Sequence, residues 1–198
     1  LATRAQAPIA DFAPLGAPRP TELVQLPESH TFQVLIKAGD PLSEGGVKGT
    51  HSDFTGYIPI DGSSEQGYLG INSENTPGGV TILDVAYNTS LKRWESTASG
   101  NVDFSHFGPV PTGRNCSGAV TPWGTFITCE EQNNLDSFGA IDITQDLNND
   151  GWWDLGWCVE IDPATRSIMD YNGDGTPEKL YGMGLMAHEN VSMPINGT

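Results

Sequence analysis

One pattern constrains this chain more than any other. Gly67-Tyr-Leu-Gly-Ile-Asn-Ser-Glu74-Asn75, Gly124-Thr-Phe-Ile-Thr-Cys-Glu-Glu131-Gln132 and Gly182-Met-Gly-Leu-Met-Ala-His-Glu189-Asn190 align without gaps. In each, a glycine is followed seven places later by a glutamate and then by an amide residue, and the glutamates stand 57 and 58 residues apart. A second echo, Val80-Thr-Ile-Leu-Asp84 against Cys158-Val-Glu-Ile-Asp162, accompanies the first. Repeats of about 40–50 residues with four strands each describe propeller blades, and loop insertions lengthen the period. Three such repeats predict about three blades, and hence only part of a ring. Equivalent residues of successive blades lie at equivalent distances from the axis, so the repeated glutamates are expected to converge. Carboxylates brought together without a cation repel one another and resist ionisation. A bound metal relieves that conflict.

The rest of the sequence agrees with an all-β chain. Short apolar runs at 31–36, 67–71, 80–85, 125–128 and 157–161 are bounded by Gly, Pro, Asn or Asp, and no window carries a convincing helical period. Twenty-four glycines and 14 prolines in 198 residues favour many short strands joined by turns. Residues 1–30 hold five prolines without periodicity and are expected to form an extended lead-in; residues 31–198 are expected to form the incomplete propeller. The chain opens on Leu1 and closes on Thr198 where another strand is due, which predicts a removed leader or a clipped chain. Other chains, or a C-terminal continuation, are then expected to complete the ring.

Charge narrows the partners. Twenty-five acidic residues against 9 basic ones give a formal charge of −16, which repels phosphate backbones and argues against nucleic acid. It attracts cations. No apolar stretch approaches the roughly 18 residues that would suggest a membrane-spanning helix.

Two segments read as calcium loops. Asp146, Asn148, Asp150 and Asp154 occupy positions one, three, five and nine of one loop, with Gly151 at six; Asp170, Asn172, Asp174 and Glu178, with Gly175 at six, repeat the pattern 24 residues later. Alternate oxygens can wrap one ion, and the glycine permits the sharp turn. Trp157 and Tyr181 stand at position twelve in place of the bidentate glutamate, so neither loop is a standard EF-hand. The competing reading is a pair of Asx-rich turns that bind nothing. Three cysteines allow one disulfide plus a special thiol, or three inert thiols; Cys129 and Cys158, in strands that could be neighbours, are the candidate pair, leaving Cys116. Four sequons (Asn88, Asn115, Asn190, Asn196) permit glycosylation in an exported protein. Trp123, Trp152, Trp153 and Trp157 are read as blade packing; His30, His51 and His106 lack ligand spacing.

The string Arg114-Asn-Cys116-Ser-Gly-Ala-Val-Thr-Pro-Trp-Gly-Thr-Phe-Ile-Thr-Cys-Glu-Glu131 closely resembles the hallmark segment of the PhoX family of secreted alkaline phosphatases. Phe32 to Leu42, Ser52-Asp53-Phe-Thr-Gly-Tyr-Ile-Pro59, Asn72-Ser-Glu74, Gly156-Trp-Cys-Val-Glu-Ile-Asp-Pro163 and His188-Glu-Asn190 resemble further family blocks in the family's order, so the likeness covers about residues 31–192. The resemblance implies a β-propeller phosphomonoesterase, secreted or periplasmic, with calcium (Ca2+) and iron (Fe3+) in a mixed cluster. It places the iron-binding cysteine on Cys116 and the cluster's carboxylates on Glu131, Glu160 and Glu189, with Glu74 and Glu130 as further candidates. Small phosphate esters are the implied substrates. The chain departs from the family where Leu185 replaces an arginine that helps hold phosphate and where Ser73 replaces a histidine. Those departures set up the rival expectation, a non-catalytic calcium-stabilised extracellular propeller or assembly module.

Overall fold

The structure is a computed structural model, and it describes residues 24–27, 30–132 and 146–194. The chain divides into two units, Leu1–Val34 and Leu35–Thr198. The described residues of the first unit form no helix or strand, and Val24, Leu26, Phe32 and Val34 are exposed.

The second unit is built from two four-stranded antiparallel meanders. The first contains β1 (Ser52–Pro59), β2 (Gln66–Ser73), β3 (Gly79–Asn88) and β4 (Arg93–Asn101). The second contains β5 (Asn115–Val120), β6 (Phe126–Glu130), β7 (Cys158–Asp162) and β8 (Ser167–Ile168). Turn chemistry explains the short connections: Asp61 and Gly62, between β1 and β2, both take positive φ, as tight hairpin turns between twisted strands require.

Period-2 alternation gives each sheet an apolar face. Val80 and Ile82 of β3 meet Phe126, Val159 and Ile161 of the second sheet in one core, with Val102, Phe104 and Phe107 between them. Glycines set how closely the sheets approach. A Cβ at Gly70 would lie 2.5 Å from the Phe126 ring, and one at Gly56 would lie 2.7 Å from Val120. Phe54 stacks on Phe126 with centroids 5.4 Å apart.

The two sheets are structural copies. Gly70 pairs with Ile82 in the first, and Ile127 pairs with Glu160 in the second. These are the pairings that superposing the two sequence echoes requires, so the first two repeats are the second strands of successive sheets. The third repeat breaks the expectation of three blades. Gly182–Asn190 forms no strand: Gly184 leaves the extended region at φ 85°, after a turn of 3-10 helix at Tyr181–Met183. The segment instead crosses strand ends. Met186 N–H donates to Gly156 O (3.1 Å), His188 N–H to Glu130 O (2.8 Å), and Ser117 N–H to Glu189 O (3.0 Å). The described sheets do not close into a ring. No helix among the described residues is long and apolar enough to cross a membrane.

Candidate metal centre

Each sheet contributes to one cluster in the same two ways. The ladder between β1 and β2 slips between Ser52 and Thr55, and that between β5 and β6 slips between Asn115 and Gly118. Such bulges re-aim side chains at a sheet margin. Asp53 sits in the first bulge and Cys116 in the second. Glu74 follows β2 directly, and Glu131 follows β6 in the same way. The pseudo-symmetry thus pairs Asp53 with Cys116 and Glu74 with Glu131.

Asp53, Glu74 and Cys116 offer ligand atoms that all lie within 4.8 Å of one another, the one such group of three or more among the described residues. Glu131 joins them through Arg114, whose Nη2 donates to Glu74 Oε1 (2.8 Å) and Glu131 Oε2 (3.1 Å). Asn72, fully buried on β2, donates its amide to Cys116 O (2.7 Å) and Ser117 O (3.0 Å), occupying two carbonyls of the bulge. Its own Oδ1 is buried without a hydrogen-bond partner among the described residues.

The electrostatics disfavour the ionised forms of the cluster while it holds no metal. Burial, then the charges of Asp53, Glu74 and Glu131, push the Cys116 thiol up to about 11. Burial raises the Glu131 carboxyl above its ordinary value; Glu74 and Glu189 add to this and Arg114 opposes it. A metal ion reverses that balance, because a coordinated thiol is deprotonated outright. One sulfur among hard oxygens suits a transition metal beside calcium. The residues present therefore fit an iron–calcium group.

Two of the sequence candidates lie elsewhere. Glu130 neighbours Glu131, but successive strand residues face opposite ways. It is fully buried, and its carboxylate binds Lys179 Nζ (2.8 Å) and the N–H groups of Gly156 and Trp157 (both 2.9 Å). Glu160 sits near the β5–β6 turn, at the other end of the sheet from Cys116. It accepts from Trp123 Nε1 (2.6 Å), Tyr171 OH (2.5 Å) and Thr125 Oγ1. Glu189 stays close, with its carbonyl on Ser117 and its charge felt by Glu131, though its side chain is exposed. Asp53 is the residue that sequence reasoning missed. Superposing the first strands of the two repeats, as well as the second, would have aligned it with Cys116.

The loops of the second sheet are close copies. Asp146 accepts from the N–H groups of Asp150 and Gly151, and Asp170 from those of Gly173 and Gly175. Asp154 accepts from Leu147 N–H as Glu178 does from Tyr171 N–H. Gly151 and Gly175 take φ of 90° and 88°. Asn148 and Asn172 each accept from the N–H two residues on, that is from Asp150 and Asp174. The position-twelve aromatics, Trp157 and Tyr181, pack edge to face at 5.1 Å, and Trp152 stacks on Tyr181 at 4.5 Å. Cys129 and Cys158 face each other across β6 and β7 as buried free thiols with Sγ atoms 3.5 Å apart, longer than the roughly 2.05 Å of a disulfide. Asn115, in one sequon, is fully buried and bonded to Thr112 and Thr128. A cleft of about 460 Å³ lined by residues including Ser73, Gly78, Asn101 and Phe104 contains none of the four cluster residues.

The sequence profile of the family described as alkaline phosphatase PhoX matches residues 97–197, just over half of the chain. The chain belongs to the PhoX family. Cys116 and Glu131 fall inside the matched region, whereas Asp53 and Glu74 precede it. Among solved structures, the chain is similar to Pseudomonas fluorescens PhoX in complex with vanadate, a transition state analogue. That match has 20% identity and a TM-score of 0.53, and it covers 84% of this chain and 43% of the other. The likeness is one of fold, and this chain spans less than half the length of that PhoX structure. No curated protein matches. Leu185 lines a shallow apolar cavity of about 220 Å³ with Gly151, Trp152, Trp153 and Trp157.

Proposed function

We propose that this chain carries the metal centre of an exported, secreted or periplasmic, phosphomonoesterase, within a propeller completed by further polypeptide. The observation that carries the reading is the convergence of Asp53, Glu74 and Cys116 within 4.8 Å, at two equivalent bulged margins. Cys116 and the neighbouring carboxylates would hold iron, with the remaining carboxylate oxygens holding calcium. When bound, the cations would neutralise a phosphate ester's charge and lower the barrier to displacement at phosphorus. The protein's own part is positional. Asn72 fixes the Cys116 and Ser117 carbonyls of the bulge, and Arg114 links Glu74 to Glu131. The loops Asp146–Asp154 and Asp170–Glu178 are calcium sites in this reading, supported by their matched backbone geometry.

A second reading is favoured by one observation: Leu185, which the family resemblance sets at the place of a phosphate-binding arginine, lines an apolar cavity with three tryptophans and brings no charge to it. A calcium-stabilised module without catalysis follows if no other cation replaces it. One experiment separates the two. Hydrolysis of p-nitrophenyl phosphate is assayed on the full-length protein with calcium, alongside elemental analysis for iron. Turnover together with bound iron supports the enzyme, and Cys116→Ser should then lose iron and its absorption while keeping much of the calcium. Neither iron nor turnover leaves the module.

A further inference from the structure

Three carboxylates and a thiol meet at the bulged margins, and one cation stands among them. Arg114 is placed there by its backbone as much as by its charge. Its N–H donates to Asn75 O (2.6 Å), immediately after Glu74, and its carbonyl accepts from Glu131 N–H (3.0 Å). It holds φ of 47°, the left-handed region that side-chain-bearing residues enter at a cost and that recurs at functional positions. Both ion pairs are partly buried, with about a quarter to a third of each side chain exposed, so solvent screens them only in part. Arg114 thus bridges the two quasi-equivalent glutamates and ties one sheet to the other.

We propose that Arg114 is a placeholder cation: it holds the two halves of the centre together before metal is loaded, and it opposes metal binding by its charge. The proposal rests on the metal-centre reading above. The same two carboxylates that Arg114 bridges are those a metal would draw on, so the guanidinium and an incoming cation compete for them. A neutral residue at 114 leaves Glu74 and Glu131 facing each other without the guanidinium's counter-charge in the metal-free protein. It also removes the positive charge that a calcium ion must approach.

The test is a double-variant cycle on the full chain, read by thermal unfolding in chelator and again across a calcium titration. In chelator, Arg114→Gln should melt about 2–4 °C below wild type. Adding Glu131→Gln to it should restore much of that loss, because the unpaired charge is gone. Arg114→Lys, which keeps the charge, should lie close to wild type. In the titration, run with Asp146→Ala and Asp170→Ala in both proteins so that the loops do not set the midpoint, Arg114→Gln should reach its calcium-stabilised plateau at a roughly tenfold lower calcium concentration. Additive effects of the two substitutions in chelator, or an unchanged calcium midpoint in Arg114→Gln, overturn the placeholder role and leave the metal centre standing. A wild-type melting temperature indifferent to both calcium and iron overturns the metal centre and the placeholder together.

Discussion

At the scale of single residues, Glu130 and Glu131 show how one position along a strand separates two fates. Glu131 faces the cluster. Glu130 faces inward, where Lys179 adds bonds to Pro111 O (3.0 Å) and Asp154 O (2.6 Å) and lies 4.9 Å from the centroid of the Phe107 ring. Every charge there is paired and hydrogen-bonded, which a buried ion pair needs if it is not to cost stability. Lys179→Met should destabilise the fold by about 3–5 kcal/mol, measured by urea unfolding, because it strands the Glu130 carboxylate. Lys179→Met combined with Glu130→Gln should cost much less than the first alone, since the neutral amide oxygen still accepts from the Gly156 and Trp157 N–H groups and no buried charge is left unpaired. Equal losses would mean that packing, not charge, sets the penalty. The sequence could not distinguish these glutamates, because Glu-Glu at a strand end says nothing about which of the two faces inward.

At the scale of elements, the repeat was legible because strands and their registers are written in local patterns. The two echoes locate β2, β3, β6 and β7 and their pairings, with Gly67 as the second residue of β2 and Gly124 in the turn that leads into β6. The third repeat was misleading for a physical reason. Gly182, Gly184 and the exposed Met183 and Met186 give no alternation, and a strand without a neighbouring edge does not form. Asp53 stayed hidden because bulges are set by ladder slippage, which leaves little trace in composition. The loops carry a prediction at this scale. If they bind calcium, chelation should lower the melting temperature, because an ion that binds only the folded state stabilises it. Asp146→Ala and Asp170→Ala should each remove part of that shift. Identical melting curves with chelator and with millimolar calcium would rule out calcium at both loops. The facing thiols of β6 and β7 make a second test. We propose that Cys129 and Cys158 join in an oxidising compartment by exchange with a partner disulfide, which takes up their two electrons and two protons and leaves as a dithiol. Denatured, unreduced protein should then show one free thiol, and a count of three would refute the pairing.

At the scale of the whole molecule, the centre belongs to neither sheet. Asp53 and Glu74 come from one, Cys116 and Glu131 from the other, and the core of Val80, Ile82, Phe126 and Val159 holds the halves in place. Gly70→Ala should therefore impair metal binding from a distance: its methyl would press on the Phe126 ring and force the sheets apart. The expected result is a loss of bound iron larger than the loss of calcium from the loops of the second sheet, measured by elemental analysis. Equal losses of both ions would indicate general unfolding. The equivalence of Asp53 and Cys116 has a consequence for how such a centre can change over time. Two copies of one element supply matched positions, and a single codon change in either copy alters the hardness of the donor set without moving the backbone. A centre with an oxygen at both bulges would favour calcium, whereas sulfur at one admits iron. In a centre of the kind proposed, metal choice would thus turn on one repeated position, free to drift or be selected independently of the fold.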